Sequence, residues 1–113
     1  MRENTNNLKN PESVVNSLIE AMTANDAEKI RSVFIENTKQ AYGNGEWKSG
    51  NDFFSWLQSD IIGRKGHVEN AKYSTDGNEV VVTGQYSSEG YTNKANFLFV
   101  VENDKIISWQ MRY

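Results

Sequence analysis

The sequence predicts an α+β fold: three N-terminal helices packed in the hollow of a strongly curved, C-terminal antiparallel sheet. Two observations predict it. Apolar residues recur at helical spacing up to about Ile61, and from about Val68 they recur at every second position. The helical patterns also come first, and short turns join the later strands, whereas a doubly wound parallel sheet would place helices between strands. The 113 residues suit one domain, expected over residues 10–113 behind a loose tail at residues 1–9.

Asn10-Pro11 is a helix start, because Asn caps and Pro lacks an N–H that the first turn leaves unbonded anyway. Val14, Val15, Leu18, Ile19 and Met22 then form one apolar stripe, so the first helix runs from about Pro11 to Ala24. Asn25 and Glu28 have capping-box spacing. Ala27, Ile30, Val33 and Phe34 define the buried face of a second helix. Ala41 and Tyr42 either extend that stripe or begin the next segment. Gly43 and Gly45 break the pattern, and residues 42–49 read as a short hairpin or a crossing loop. A third helix starts near Ser49 or Asn51, buries Phe53, Trp56, Leu57 and Ile61, and stops at Gly63.

The strands follow. Residues 68–74 alternate weakly, and Asp76-Gly77 is a hairpin turn. Val80, Val82, Gly84 and Tyr86 share one face of the next strand. After Ser88-Glu89-Gly90 comes the longest strand, with Ala95, Phe97, Phe99 and Val101 opposite Asn96, Leu98 and Val100. Asn103-Asp104 turns the chain into a last strand, where Ile107, Trp109 and Met111 alternate with Ile106, Ser108 and Gln110. Both faces of this sheet carry apolar residues. One face covers the helices; the other is covered by a second subunit, giving a homodimer through the sheet, or by strand twist and the N-terminal tail.

Composition excludes several functions. The formal net charge is −3, with no dense Lys/Arg run, so nucleic acid is not an expected partner. Cysteine is absent and there is a single histidine, which removes disulfides, thiolate nucleophiles and Cys- or multi-His zinc sites. No phosphate loop is present, and no metal or cofactor is expected. No apolar run is long enough to cross a bilayer. Residues 1–10 are polar, unlike a signal peptide, so a chain starting there is expected in the cytoplasm.

Three segments carry a resemblance: SLIEAMTANDAEKIRSVF (17–34), WKSGNDFFSWL (47–57) and NFLFVVENDKIISWQMRY (96–113). Together and in this order they resemble the first two helices, the start of the third helix and the paired final strands of the nuclear transport factor 2-like superfamily. The likeness is to its small SnoaL-like and ketosteroid-isomerase-like members. The resemblance implies a cone-shaped α+β barrel whose pocket opens at one end, and in many members pairing through the sheets. It also implies a choice among isomerases, cyclases, hydrolases, dehydratases and non-catalytic binding modules, which fold alone does not make. Matched to ketosteroid isomerase, the oxyanion-donor Tyr falls on Leu18, the catalytic base on Tyr42 with Gln40 two positions earlier, and the buried protonated Asp on Asn96. That isomerase activity needs a base and an oxyanion site, so it is not expected here.

The residues leave a short set of candidates. Asp26, Asp60, His67 and Glu69 are the available acids or bases, although Asp26 also suits a helix cap and His67 a strand start. Tyr42, Trp47, Trp56, Asn96, Phe97, Trp109 and Gln110 are candidate ligand contacts: aromatic walls with a few hydrogen-bonding groups suit an apolar or ring-containing small molecule, though the same aromatics also suit a core. The leading expectation is a small-molecule-binding protein. The alternatives are a SnoaL-like isomerase, cyclase or dehydratase acting on an apolar carbonyl compound, and a protein-interaction module.

Overall fold

The computed structural model describes residues 10–112; the tail expected over residues 1–9 lies outside them. Asn10 accepts a hydrogen bond from the Ser13 N–H at 2.7 Å and starts helix α1 (Pro11–Thr23). The α1 stripe, Val14, Val15, Leu18, Ile19, Ala21 and Met22, is buried. Asn25 takes a left-handed conformation (φ 52°) and reverses the chain. Asp26 then caps helix α2 (Ala27–Ser32), accepting from the Lys29 N–H at 3.2 Å.

The chain departs here from the expected long second helix. Phe34 is not helical but opens strand β1 (Phe34–Tyr42), which turns into the two-residue strand β2 (Lys48–Ser49). Polar Thr38 and Gln40 are fully buried on β1. Thr38 can be buried because its hydroxyl accepts from the Ile35 N–H and donates to the Ile106 carbonyl, both at 2.8 Å. Helix α3 (Asn51–Trp56) continues into a π-helical turn (Leu57–Ile62). Strands β3 (His67–Asp76), β4 (Glu79–Ser88), β5 (Tyr91–Glu102) and β6 (Lys105–Met111) complete the chain.

The strands form one sheet in the order β2-β1-β6-β5-β4-β3. This corrects the expected antiparallel cone in two ways. The sheet is mixed, because β1 runs parallel to β6 while the other pairs are antiparallel. It is also open, neither closed nor strongly curved, so the molecule is not a cone-shaped barrel. Closing a barrel would require the edge strands to pair, and here one edge is β3 and the other is only two residues long.

Besides a shift in the parallel β1–β6 ladder between Phe34 and Lys39, two irregularities set the register of the antiparallel strands. Between Glu69 and Lys72 the β3–β4 ladder shifts around Asn70, at φ 56°. Opposite it Gly84, at φ 150°, lets the strands approach: a Cβ there would lie 2.7 Å from the Glu69 carbonyl oxygen. The second shift, between Val100 and Val101, skips Ile107 in the pairing with β6. Ile106 and Trp109 are therefore both fully buried, where simple alternation had put them on opposite faces.

The core lies between the helices and one sheet face. Trp109 is at its centre, with ring centroids of Phe99, Trp56 and Phe97 at 5.1, 5.2 and 5.5 Å. Phe34 and Phe53 pack edge-on at 4.9 Å beside it. Each fully buried large apolar side chain contributes about 1.5–3 kcal/mol. Among the described residues no helix is long and apolar enough to cross a membrane.

A cleft at the exposed end of the sheet

Beyond this packed region, the Tyr91–Lys94 end of β5 is exposed. Around it opens a cleft of about 990 Å³. It wraps the end of the strands, so both sheet faces contribute. Tyr86, Ala95, Phe97 and Met111 come from the helix-facing side, and Thr83, Gln85, Lys94 and Asn96 from the other. The π-helical turn closes one wall. It buries Leu57, Ile61 and Ile62 and leaves Asp60 half-buried at the cleft surface. Single π-turns of this kind recur at functional sites.

Asp60 is held in a short polar chain. The Trp56 indole N–H donates to the Tyr42 hydroxyl oxygen at 2.7 Å, which leaves the Tyr42 O–H to donate to Asp60 Oδ2 at 3.4 Å. Ser59 Oγ donates to Asp60 Oδ1 at 2.9 Å. The Lys48 ammonium lies over the Tyr42 ring, 4.9 Å from its centroid.

A second phenol completes the site. Tyr86 is buried against Phe97, with ring centroids 5.9 Å apart, and its hydroxyl lies over the bare backbone of Gly66, where any Cβ would overlap it. Burial pushes its pKa up to about 12; a hydrogen bond with Ser88 opposes the shift, and nearby Tyr42 and Asp60 add to it. Tyr86 is therefore a neutral hydrogen-bond donor over the whole physiological range. A carboxylate acceptor, the phenol groups of Tyr42, Tyr86 and Tyr91 and apolar surface from Ile61, Phe97 and Met111 thus share one cleft.

The candidates from sequence separate clearly. Asp60, Tyr42, Asn96 and Phe97 line the cleft, and Trp56 is bonded to its wall. Asn96 accepts from Arg112 at 3.0 Å on the outer rim. Asp26, His67 and Glu69 lie away from it: Asp26 caps α2, and His67 Nε2 pairs with Glu69 Oε2 at 3.0 Å at the start of β3. That hydrogen bond, with a smaller contribution from the Lys65 carbonyl, raises the His67 pKa. Trp47 is 45% exposed beneath Lys39, Trp109 is wholly core, and Gln110 donates to the Gly43 carbonyl at 2.8 Å. None of these three lines the cleft.

Sequence reasoning missed Arg64 and Met111 as cleft residues, and named Tyr86 only among several aromatics able to line a cavity. Tyr86 had a signal, since it ends the apolar face of Val80 and Val82 where that face runs out from under the helices. No group of three or more His, Asp or Glu residues that could hold a metal exists among the described residues.

Solved structures share this arrangement across nearly the whole chain. A protein of unknown function from Cytophaga hutchinsonii, described as NTF2-like, superposes with a TM-score of 0.78 at 19% identity, covering 95% of this chain and 91% of its own. The fold is NTF2-like. A candidate polyketide cyclase from Pseudomonas putida matches this NTF2-like chain with a TM-score of 0.72 at 17% identity, covering 93% and 92% of the two chains. A candidate ketosteroid isomerase from Kribbella flavida matches with a TM-score of 0.75 at 10% identity, covering 90% and 76%. No family profile and no curated protein sequence matches the chain. At these identities the likeness carries the NTF2-like fold, and the chemistry must be argued from the cleft.

Proposed function

We propose that the cleft takes an apolar, carbonyl-bearing small molecule and moves a proton on it, in the manner of a SnoaL-like isomerase, cyclase or dehydratase. One observation carries this reading: the Asp60 carboxylate faces the Tyr42 hydroxyl, with Tyr86 in the same apolar-walled cleft. Asp60 takes the proton α to the carbonyl. The C–H electron pair moves onto the carbonyl oxygen, which hydrogen-bond donors stabilise as the enolate forms. The enolate then takes the proton back from Asp60 at another carbon, attacks a second carbonyl whose oxygen takes that proton, or expels a β-hydroxyl that leaves with it as water. The candidate cyclase and isomerase names borne by structural neighbours support this class of substrate.

Asp60 lies outside the positions matched to ketosteroid isomerase, where this chain has Leu18, Tyr42 and Asn96. Those substitutions favour a second reading, a cleft that binds such a molecule without turning it over. Deuterium exchange at the α carbons of 2-tetralone in D2O, followed by proton NMR, separates the two. Acceleration of about a hundredfold or more over buffer, abolished in Asp60→Asn, is the expected result. Binding without acceleration selects the second reading, and an unimpaired Asp60→Asn removes Asp60 from its role. In either reading two copies pair through the outer sheet face, where Val81, Leu98 and Val100 present apolar surface; sedimentation at increasing concentration tests this.

A further inference from the structure

Behind the cleft wall are two buried donors with nothing to donate to. Gln40 on β1 and Trp109 on β6 are direct partners in the parallel ladder, and both side chains are fully buried. Gln40 Nε2 and Trp109 Nε1 have no hydrogen-bond acceptor. The orientation of the Gln40 amide follows from its other end, because Oε1 accepts from Lys48 Nζ at 2.7 Å. The end left over is the donor.

Most buried polar side-chain atoms in native interiors are hydrogen-bonded, so neighbouring orphans on one sheet floor call for a partner. The surroundings offer none. Around Trp109 are the rings of Trp56, Phe97 and Phe99. The polar group on the other end of the Gln40 amide is the Lys48 ammonium, another donor. The missing partner is therefore an acceptor, and an oxygen carrying partial or full negative charge suits it best. The donors lie one ring behind the cleft: Phe97 lines the cleft and packs on Trp109, and Trp56 packs on Trp109 while bonded to the cleft residue Tyr42. Tyr42 itself is 42% exposed at the cleft.

We propose that Gln40 Nε2 and Trp109 Nε1 receive the carbonyl oxygen of the molecule bound in the cleft. The inference rests on the substrate class proposed above and adds its orientation: oxygen toward the sheet floor between β1 and β6, and the α carbon toward Asp60. Two fixed N–H donors then meet the oxygen as its charge develops.

The test compares 2-tetralone with tetralin, its counterpart lacking the oxygen, by 15N NMR of the wild-type chain and of Gln40→Leu. The ketone is expected to shift the Trp109 indole and Gln40 side-chain amide resonances, and tetralin to leave them in place. Gln40→Leu should weaken the ketone by about tenfold, the worth of one hydrogen bond, without weakening tetralin. A ketone that perturbs Ile61 and Tyr86 but neither donor overturns this inference and leaves the cleft reading standing. Equal weakening of both probes, or of neither, does the same, as does a complex whose donors hold a water while the ketone lies elsewhere. If neither probe perturbs any cleft resonance, the cleft reading and this inference fall together. The wild-type spectra decide the matter even if Gln40→Leu does not fold.

Discussion

The two ends of the β4–β5–β6 sheet differ in what they cover. At one end Val80, Phe99 and Ile106 are fully buried within the helix-packed core. At the other, the same strands pass the helices and present Tyr86, Phe97 and Met111 beside the Asp60 carboxylate. One alternating pattern thus fills the core where a helix covers it and lines the cleft where none does. Stability should reside at the covered end and chemistry at the open end.

The strongest challenge to that division is a pair of substitutions. Phe99→Ala leaves a cavity in the packed aromatic cluster and is expected to cost about 3–5 kcal/mol in denaturant unfolding. Asp60→Asn should cost less than about 1 kcal/mol while removing proton transfer. Similar losses of stability from both would erase the distinction. Gly84→Ala tests the bulge between the two ends. Its φ of 150° and the Glu69 carbonyl at 2.7 Å from the new Cβ should together cost about 1–3 kcal/mol. Asn10→Ala, outside the cleft, should cost about 1 kcal/mol through the lost α1 cap, with proton exchange unchanged.

Two pH effects sharpen the comparison further. The folded-state pKa of Tyr86 is raised to about 12 from an ordinary 10.0, so the unfolded chain ionises first. Its contribution is whole below pH 10 and is lost as pH rises toward 12; Tyr86→Phe should flatten that part of the stability profile. His67, outside the cleft, is also raised, from 6.5. The contribution of protonated His67 paired with Glu69 is present below pH 6.5 and lost as pH rises through the folded value. The His67 side chain is one-third exposed and Glu69 more so, and this is the smallest effect; NMR titration of the imidazole, with and without Glu69→Gln, measures it.

The sequence was most readable where packing obeyed a simple period. The stripe from Val14 to Met22 and the alternation from Ala95 to Val101 fall where their spacing put them, and the hairpin turn falls one residue on, at Gly77-Asn78, with Asp76 paired to Glu79. Strand β1 was hidden because it buries Thr38 and Gln40, polar residues that pattern reading assigns to solvent, and because the helical stripe of α2 runs into Phe34. Openness of the sheet was hidden too, since it depends on which edges meet, and no local signal encodes that. Among site residues, Asp60 and Tyr42 could be named singly. Their approach across the π-helical turn could not be read, because the extra residue per turn leaves no mark in an apolar pattern already satisfied by Phe53, Trp56, Leu57 and Ile61.

The parallel pairing of β1 with β6 also sets an order of assembly. Residues 34–42 leave the ribosome before the other long strands, yet their long neighbour β6 is the last strand of this sheet to follow, so the middle of the sheet is the final gap to close. Until then β1 and β5 both present unpaired backbone to the cell, and a nascent chain stalled before Lys105 would offer chaperones, or another copy of itself, two vacant strand edges.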